Sequence, residues 1–215
     1  MTINSGNSFG GFQAPPDELV NLFPIPLAIL HSAMDYTKEL EYMLNLPMAE
    51  DYYKKTSKDT FILDKPELES VRKFIQIKLN QYATHVMAST NPLKITQSWL
   101  NRSKKGQFHH EHSHPNSIVS GVWYPIFNDE LPPIRFHNKN LPSIVLGAHK
   151  HNQYNSSTYQ PSKLIRSGSL VLFPSYIIHN VPPNDTDEER ISLSFNTWAD
   201  GDIGDINSLT YLPNN

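Results

Sequence analysis

A mainly β chain with flanking helices is the fold class this 215-residue sequence predicts. Two observations carry the prediction. Prolines outnumber glycines 17 to 9, which suits many short strands joined by fixed turns better than a bundle of helices. Beyond Pro92, short apolar or alternating runs follow one another with no helical spacing between them, the pattern of a sandwich, barrel or jelly roll.

Taken in chain order, residues 1–17 are polar and Gly-rich and read as a flexible arm, and residues 18–215 as a single domain. The stretch Asn21 to Ser32 is apolar, and its two prolines make it an edge strand or an extended segment. A helical flank covers about 34–90. Within it, Asp35 stands where it could cap a short helix with Tyr36, Leu40, Met43 and Leu44 on one face. The clearest helix starts near Asp64 with Pro66 in its first turn and continues to about Ser89. Leu68, Val71, Ile75, Leu79, Tyr82 and Val86 recur at three- and four-residue intervals along it, and Asn91-Pro92 stops it. Its apolar stripe predicts packing along the outside of a sheet.

The core, about 93–198, holds the runs Lys94–Asn101, Gln107–His114, Ile118–Ile126, Ile134–His137, Ser143–Leu146, Ser169–Phe173, Ile177–Val181 and Ile191–Trp198. Turn clusters such as Ser-Lys-Lys-Gly and Pro-Pro-Asn-Asp separate them. The Asn-, Ser- and Tyr-rich stretch from Lys150 to Gln160 reads as a long mobile loop. That loop and the arm before Pro16 are candidates for a lid.

Composition narrows the chemistry. A net charge of -3 offers no basic field for a nucleic-acid backbone, so no nucleic-acid partner is expected. The absence of cysteine excludes disulfides, thiolate zinc sites, iron–sulfur clusters and thiol nucleophiles, and any metal must be held by His, Asp or Glu. No apolar run approaches the roughly 18 residues of a membrane span, and the N-terminus lacks the order of a signal peptide. The cytoplasm is the expected location, without a membrane partner. A homodimer is left open.

Chemistry concentrates in two places. Four of the ten histidines fall between His109 and His114. In an extended chain alternate side chains share a face, so His110, His112 and His114 should line one side and Glu111 the other. Two imidazoles two residues apart can hold one metal ion. The second place is the apolar run ending in His179, followed by Arg190 on a strand where Arg190, Ser192, Ser194 and Asn196 share a face. Alone, His179 would be an ordinary buried histidine with a hydrogen-bonded partner, and Arg190 a surface ion pair with Glu188 or Glu189. An inward-facing Arg beside a Ser would instead suit a carboxylate, because the guanidinium fork grips two oxygens at once.

The run His112-Ser-His-Pro-Asn-Ser-Ile-Val-Ser-Gly-Val-Trp-Tyr124, with Leu172-Phe-Pro-Ser175, His179-Asn-Val181 and Arg190-Ile-Ser-Leu-Ser-Phe-Asn196, resembles the 2-oxoglutarate/Fe(II) oxygenase superfamily. Within it the similarity is to small 2OG-Fe(II) oxygenases of bacteria and marine phages, and it spans most of 95–198. The resemblance implies a double-stranded β-helix (a cupin-like jelly roll), Fe(II), 2-oxoglutarate as co-substrate, and molecular oxygen. It implies hydroxylation of a peptidyl or small-molecule substrate with release of succinate and CO2, in the host cytoplasm if the gene is a phage's. His112 and His179 match metal ligands.

His114 stands where the superfamily usually has Asp or Glu, a departure that leaves three ligand sets open. His114 completes an all-histidine triad with His112 and His179; or Glu111 supplies a carboxylate with His109; or His110 and His112 bind, with His114 outside them. The turn starting at Pro115 favours the first. Arg190 matches the residue that grips the far carboxylate of 2-oxoglutarate, helped by Ser192, with Tyr124 and Ser120 as further contacts; Tyr124 and Trp123 read equally well as core aromatics. Trp99, Asn101 and Asn196 are plausible lining residues. Two other classes stay in view: a three-histidine cupin that does not use 2-oxoglutarate, and a non-catalytic structural or binding jelly roll.

Overall fold

A computed structural model describes residues 18–140, 152 and 154–214. The expected arm, the Ser143–Leu146 strand and the start of the expected loop at Lys150 lie outside them. Strands β1 (Ala28–His31), β2 (Met48–Glu50), β3 (Lys55–Ser57), β4 (Leu93–Ser103), β5 (His109–His112), β6 (Val119–Ile126), β7 (Arg135–His137), β8 (Thr158–Tyr159), β9 (Ser169–Pro174), β10 (His179–Val181) and β11 (Arg190–Ala199) accompany helices α1 (Thr37–Leu44) and α2 (Glu69–His85). They form two antiparallel sheets, one of seven strands ordered β1-β9-β6-β11-β4-β3-β2 and one of four ordered β5-β10-β7-β8. This is the expected jelly roll. Among the described residues no helix is long and apolar enough to cross a membrane.

The large sheet is covered on both faces, and its sequence explains why. On β6, Val119 and Trp123 point to one side and Val122 and Tyr124 to the other; on β9, Leu170 and Leu172 oppose Val171 and Phe173. Both sets are buried, so these strands read as continuous apolar runs rather than alternating ones. One face packs on α2 through Val71, Ile75, Leu79 and Tyr82, as the helical stripe predicted; the other faces the small sheet. Gly121 permits the tightest approach. A Cβ there would lie 2.1 Å from Cζ of Phe195, its partner on β11, so the aromatic ring occupies the space a side chain would need.

Differences from expectation are local. Residues Pro66–Leu68 form a 3-10 turn, and α2 ends at His85 rather than near Ser89. Ala88 takes a left-handed φ of 51°, and the Ser89 amide donates to the Ala83 carbonyl at 3.0 Å, which closes the helix early. Val86 is consequently exposed. Asn21 to Ser32 supplies edge strand β1, paired only with β9. The hairpin β2–β3, unforeseen in the sequence, extends the other edge. Asp35 accepts from the Thr37 amide at 3.0 Å at the entry to α1.

Candidate metal centre

Between the sheets lies a cleft open to solvent, enclosing about 530 Å³ of space when the solvent at its mouth is included. Its floor is made by β5 and β10. His179 on β10 pairs with His112 on β5, and Val181 pairs with His109, so β5 carries one extra residue between the two pairs. That bulge breaks the alternation expected for the strand. His109 and His112 both line the cleft, whereas His110 is exposed and does not. The shared face of His110, His112 and His114 is therefore corrected: a strand with a bulge changes face at the extra residue.

His114 follows β5 and is held by its amide, which donates to the Ser175 carbonyl at 2.9 Å just after β9. This anchorage brings His112, His114 and His179 into one group whose ligand atoms all lie within 4.8 Å of one another. Their ring centroids are 4.3 to 5.0 Å apart. Nδ1 of His112 lies 2.8 Å from the His110 carbonyl, and Nδ1 of His179 lies 2.8 Å from the Ile177 carbonyl. A carbonyl only accepts, so each Nδ1 carries the proton and each Nε2 presents a lone pair. Burial pushes the pKa of His114 down to about 4 and of His179 to about 3, and lowers that of His112. All three are neutral at pH 7, the form that binds a metal. An all-nitrogen donor set of this kind fits a divalent transition metal.

A second trio, His109, His110 and His112, also has ligand atoms within 4.8 Å of one another. It shares His112 with the first. Glu111 is on the outer side, exposed, with its carboxylate 2.8 Å from Lys139 Nζ and 3.4 Å from His137 Nδ1. It is therefore not among the residues that line the cleft.

At the other end of the cleft, Arg190 is only 3% exposed. Its Nε donates to the Pro132 carbonyl at 2.8 Å, Nη1 to Ser192 Oγ at 3.0 Å and Nη2 to Tyr124 Oη at 3.3 Å. An arginine has five N–H bonds, so each terminal nitrogen keeps one. The Ile134 amide also donates to Tyr124 Oη, at 3.3 Å, so this oxygen accepts twice and its own proton is free to donate. Burial raises the Tyr124 pKa and keeps that proton on. Arg190, Ser192 and Tyr124 thus form a cluster of donors without an acid. The alternative surface partners are engaged elsewhere: Glu189 with Arg102, and Glu188 with Asn128 Nδ2 at 2.6 Å.

Residues 97–196 match the family model described as "Putative 2OG-Fe(II) oxygenase". That stretch, a little under half of the chain, is similar to that family. Solved structures similar to the chain match at identities that speak for the fold alone. A 2OG-Fe(II) oxygenase family oxidoreductase from Burkholderia pseudomallei superposes with a TM-score of 0.56 at 14% identity, over 80% of this chain and 83% of the other. HygX from Streptomyces hygroscopicus, with nickel, 2-oxoglutarate and hygromycin B bound, gives 0.58 at 11%, over 80% and 82%. A Pseudomonas putida prolyl-4-hydroxylase gives 0.53 at 13%, over 82% and 94%. No curated protein sequence matches the chain.

Around the cleft the remaining residues divide. Trp99, Asn101, Ser192 and Ser194 line the cleft, with apolar Val122, Ile134 and Val181. Ser120, Asn196 and Tyr124 do not line it, Tyr124 being fully buried and bonded to Arg190. Ser120 shares a face with Tyr124, but its hydroxyl bonds Ser175 Oγ at 2.8 Å and Asn196 Oδ1 at 2.9 Å, in a buried hydroxyl network away from Arg190. Trp123 is fully buried on the helix side, a core aromatic. Sequence reasoning missed Lys54, which enters the cleft from the β2–β3 turn, and named His109 only as a partner of Glu111, whereas the bulge turns His109 inward without Glu111. Burial depresses Lys54 to about 8 and His109 to about 3.

Proposed function

We propose that this chain is an Fe(II)- and 2-oxoglutarate-dependent oxygenase whose metal is held by His112, His114 and His179. One observation carries the ligand set: these three neutral imidazoles converge, two of them fixed through Nδ1 by backbone carbonyls, while Glu111 faces outward. Iron bound there would supply the centre at which 2-oxoglutarate and oxygen react, with succinate and CO2 as products. The protein's own residues do the rest. Arg190 offers its two remaining N–H bonds to the far carboxylate of 2-oxoglutarate, Ser192 accepts from Arg190 and turns its own hydroxyl proton to the same group, and the buried Tyr124 accepts from Arg190 and holds it in place. Val122, Ile134 and Val181 keep water from that end. The molecule oxidised is a small molecule or a peptide. Hydroxylation is the reading we favour, and solved relatives of this fold include an epimerase and a carbocyclase as well as a prolyl-4-hydroxylase.

The test is metal stoichiometry in the purified chain. His179→Ala and His114→Ala should abolish binding of one Fe(II) per chain while leaving the circular dichroism spectrum intact. His109→Ala and His110→Ala should retain it. Loss of iron in the last two, with retention in the first two, would transfer the site to the second trio.

A further inference from the structure

The charge in the cleft is unbalanced. Lys54 and Arg190 are its two permanently or mainly positive residues, and no acidic residue lines it. Among the described residues no ion pair forms to either. Lys54 stands at the end of the turn between β2 and β3, and its Nζ donates to Asn101 Oδ1 at 3.1 Å. Asn101 is itself held, its Nδ2 donating to Ser194 Oγ at 3.1 Å. The nearest acid in sequence, Asp51, is turned to the backbone, where Oδ1 accepts from the amides of Tyr53 at 2.7 Å and Lys54 at 2.8 Å. The ammonium is therefore aimed into the cleft on a fixed post, short of an anion.

2-Oxoglutarate, the co-substrate of the function proposed for this cleft and the one on which the role of Lys54 rests, does not supply that anion. Of its two carboxylates, one goes to the metal and the other to Arg190. Three neutral imidazoles leave the full charge of a divalent ion in place, where a carboxylate ligand would have reduced it by one. With the co-substrate bound, the cleft would still carry excess positive charge, part of it at the metal and part on Lys54. A partly buried charge without a partner is costly, and recognition sites arrange opposite charges to meet. The pKa of Lys54 is depressed chiefly by burial and further by Arg190, and the charge of Asp51 offsets this only in part.

We infer that Lys54 is a specificity-determining residue that receives an anionic group of the molecule being oxidised, so that the primary substrate of this cleft is an acid, a carboxylate or a phosphate. Trp99 lines the same cleft as Lys54 and offers it an aromatic surface. Flat aromatic acids are accordingly suitable probes.

The experiment uses the full chain loaded with Fe(II) and saturating 2-oxoglutarate in the absence of oxygen. Benzoate, phenyl phosphate and neutral benzamide are titrated by calorimetry into wild type, Lys54→Met and Lys54→Arg, and 2-oxoglutarate affinity is measured separately in each. Wild type should prefer at least one anion over benzamide by about tenfold or more, the scale of a hydrogen bond to a charged group. The preferred anion tells a carboxylate site from a phosphate site. Lys54→Met should erase the preference with 2-oxoglutarate affinity kept, and Lys54→Arg should retain most of it. The inference is overturned by a wild type indifferent to charge, or by a preference that survives in Lys54→Met. It is equally overturned by a fall in 2-oxoglutarate affinity in Lys54→Met, which would make Lys54 part of the co-substrate's own grip. A wild type that takes up no 2-oxoglutarate overturns the functional reading itself, and this inference with it.

Discussion

Replacing Arg190 with alanine removes a guanidinium that is 3% exposed and makes three hydrogen bonds within the protein, to the Pro132 carbonyl, Ser192 and Tyr124. Those bonds orient the group and leave one N–H on each terminal nitrogen for a ligand. Loss of one partner of a buried, charge-assisted pair costs about 2–5 kcal/mol. The affinity for 2-oxoglutarate should therefore fall by roughly 30- to several-thousand-fold. Lysine at the same position should recover only part of this, because an ammonium lacks the planar fork and cannot hold Ser192, Tyr124 and a carboxylate together. Iron binding should be unchanged, since Arg190 makes no contact with His112, His114 or His179. The assay is anaerobic titration of the Fe(II)-loaded chain with 2-oxoglutarate, following the charge-transfer absorbance. Equal affinity in wild type and Arg190→Ala would refute the reasoning, and the three-histidine cupin without 2-oxoglutarate would replace it. A surface pair with an acid, worth about 0–1 kcal/mol, would produce that outcome.

Two further outcomes can be checked. His109, His114 and His179 have folded pKa values of about 3, 4 and 3, below the usual imidazole value of 6.5, because burial disfavours their charged forms. Between those values and 6.5 the unfolded chain binds more protons, so the stability of the metal-free chain should fall as pH is lowered through that window. Thermal midpoints at pH 7.5 and 5.5 test this, and a midpoint that stays level or rises on acidification contradicts it. Gly121→Ala drives a Cβ to 2.1 Å from the fully buried Phe195 ring. Overpacking of this kind costs about 1–3 kcal/mol, visible as a lower urea midpoint at unchanged slope; no change would mean that Phe195 can leave that position freely.

Much of the fold was legible because its signals are local. Helical spacing from Leu68 to Tyr82 identified α2, and the runs after Pro92 located β4 to β7 and β9 to β11 within a few residues; hairpin β2–β3 was missed, and β8 falls in the stretch read as a loop. The grouping of His112, His114 and His179 was one of three sets the sequence left open, and the grouping of Arg190 and Ser192 with Tyr124 and Ser120 came from the family resemblance; Ser120 lies apart from Arg190. Boundaries were less legible. The end of α2 depends on the left-handed turn at Ala88, a residue type that does not announce such a conformation.

What only the tertiary structure decided has one physical reason: it depends on residues distant in sequence. The facing of His109 rather than His110 follows from a bulge, and a bulge is defined by the partner strand's register, here His179 opposite His112 and Val181 opposite His109. Ser120 is withdrawn from the cleft by Ser175 and Asn196, 55 and 76 positions away. Lys54 enters the cleft because β3 pairs with β4 and sets its turn beside Asn101, 47 positions on. By itself the sequence determined the elements, the apolar faces and the residue types able to hold a metal and a carboxylate. Which of those side chains share one cleft, and which positive charge in it lacks a partner, was decided by strand register.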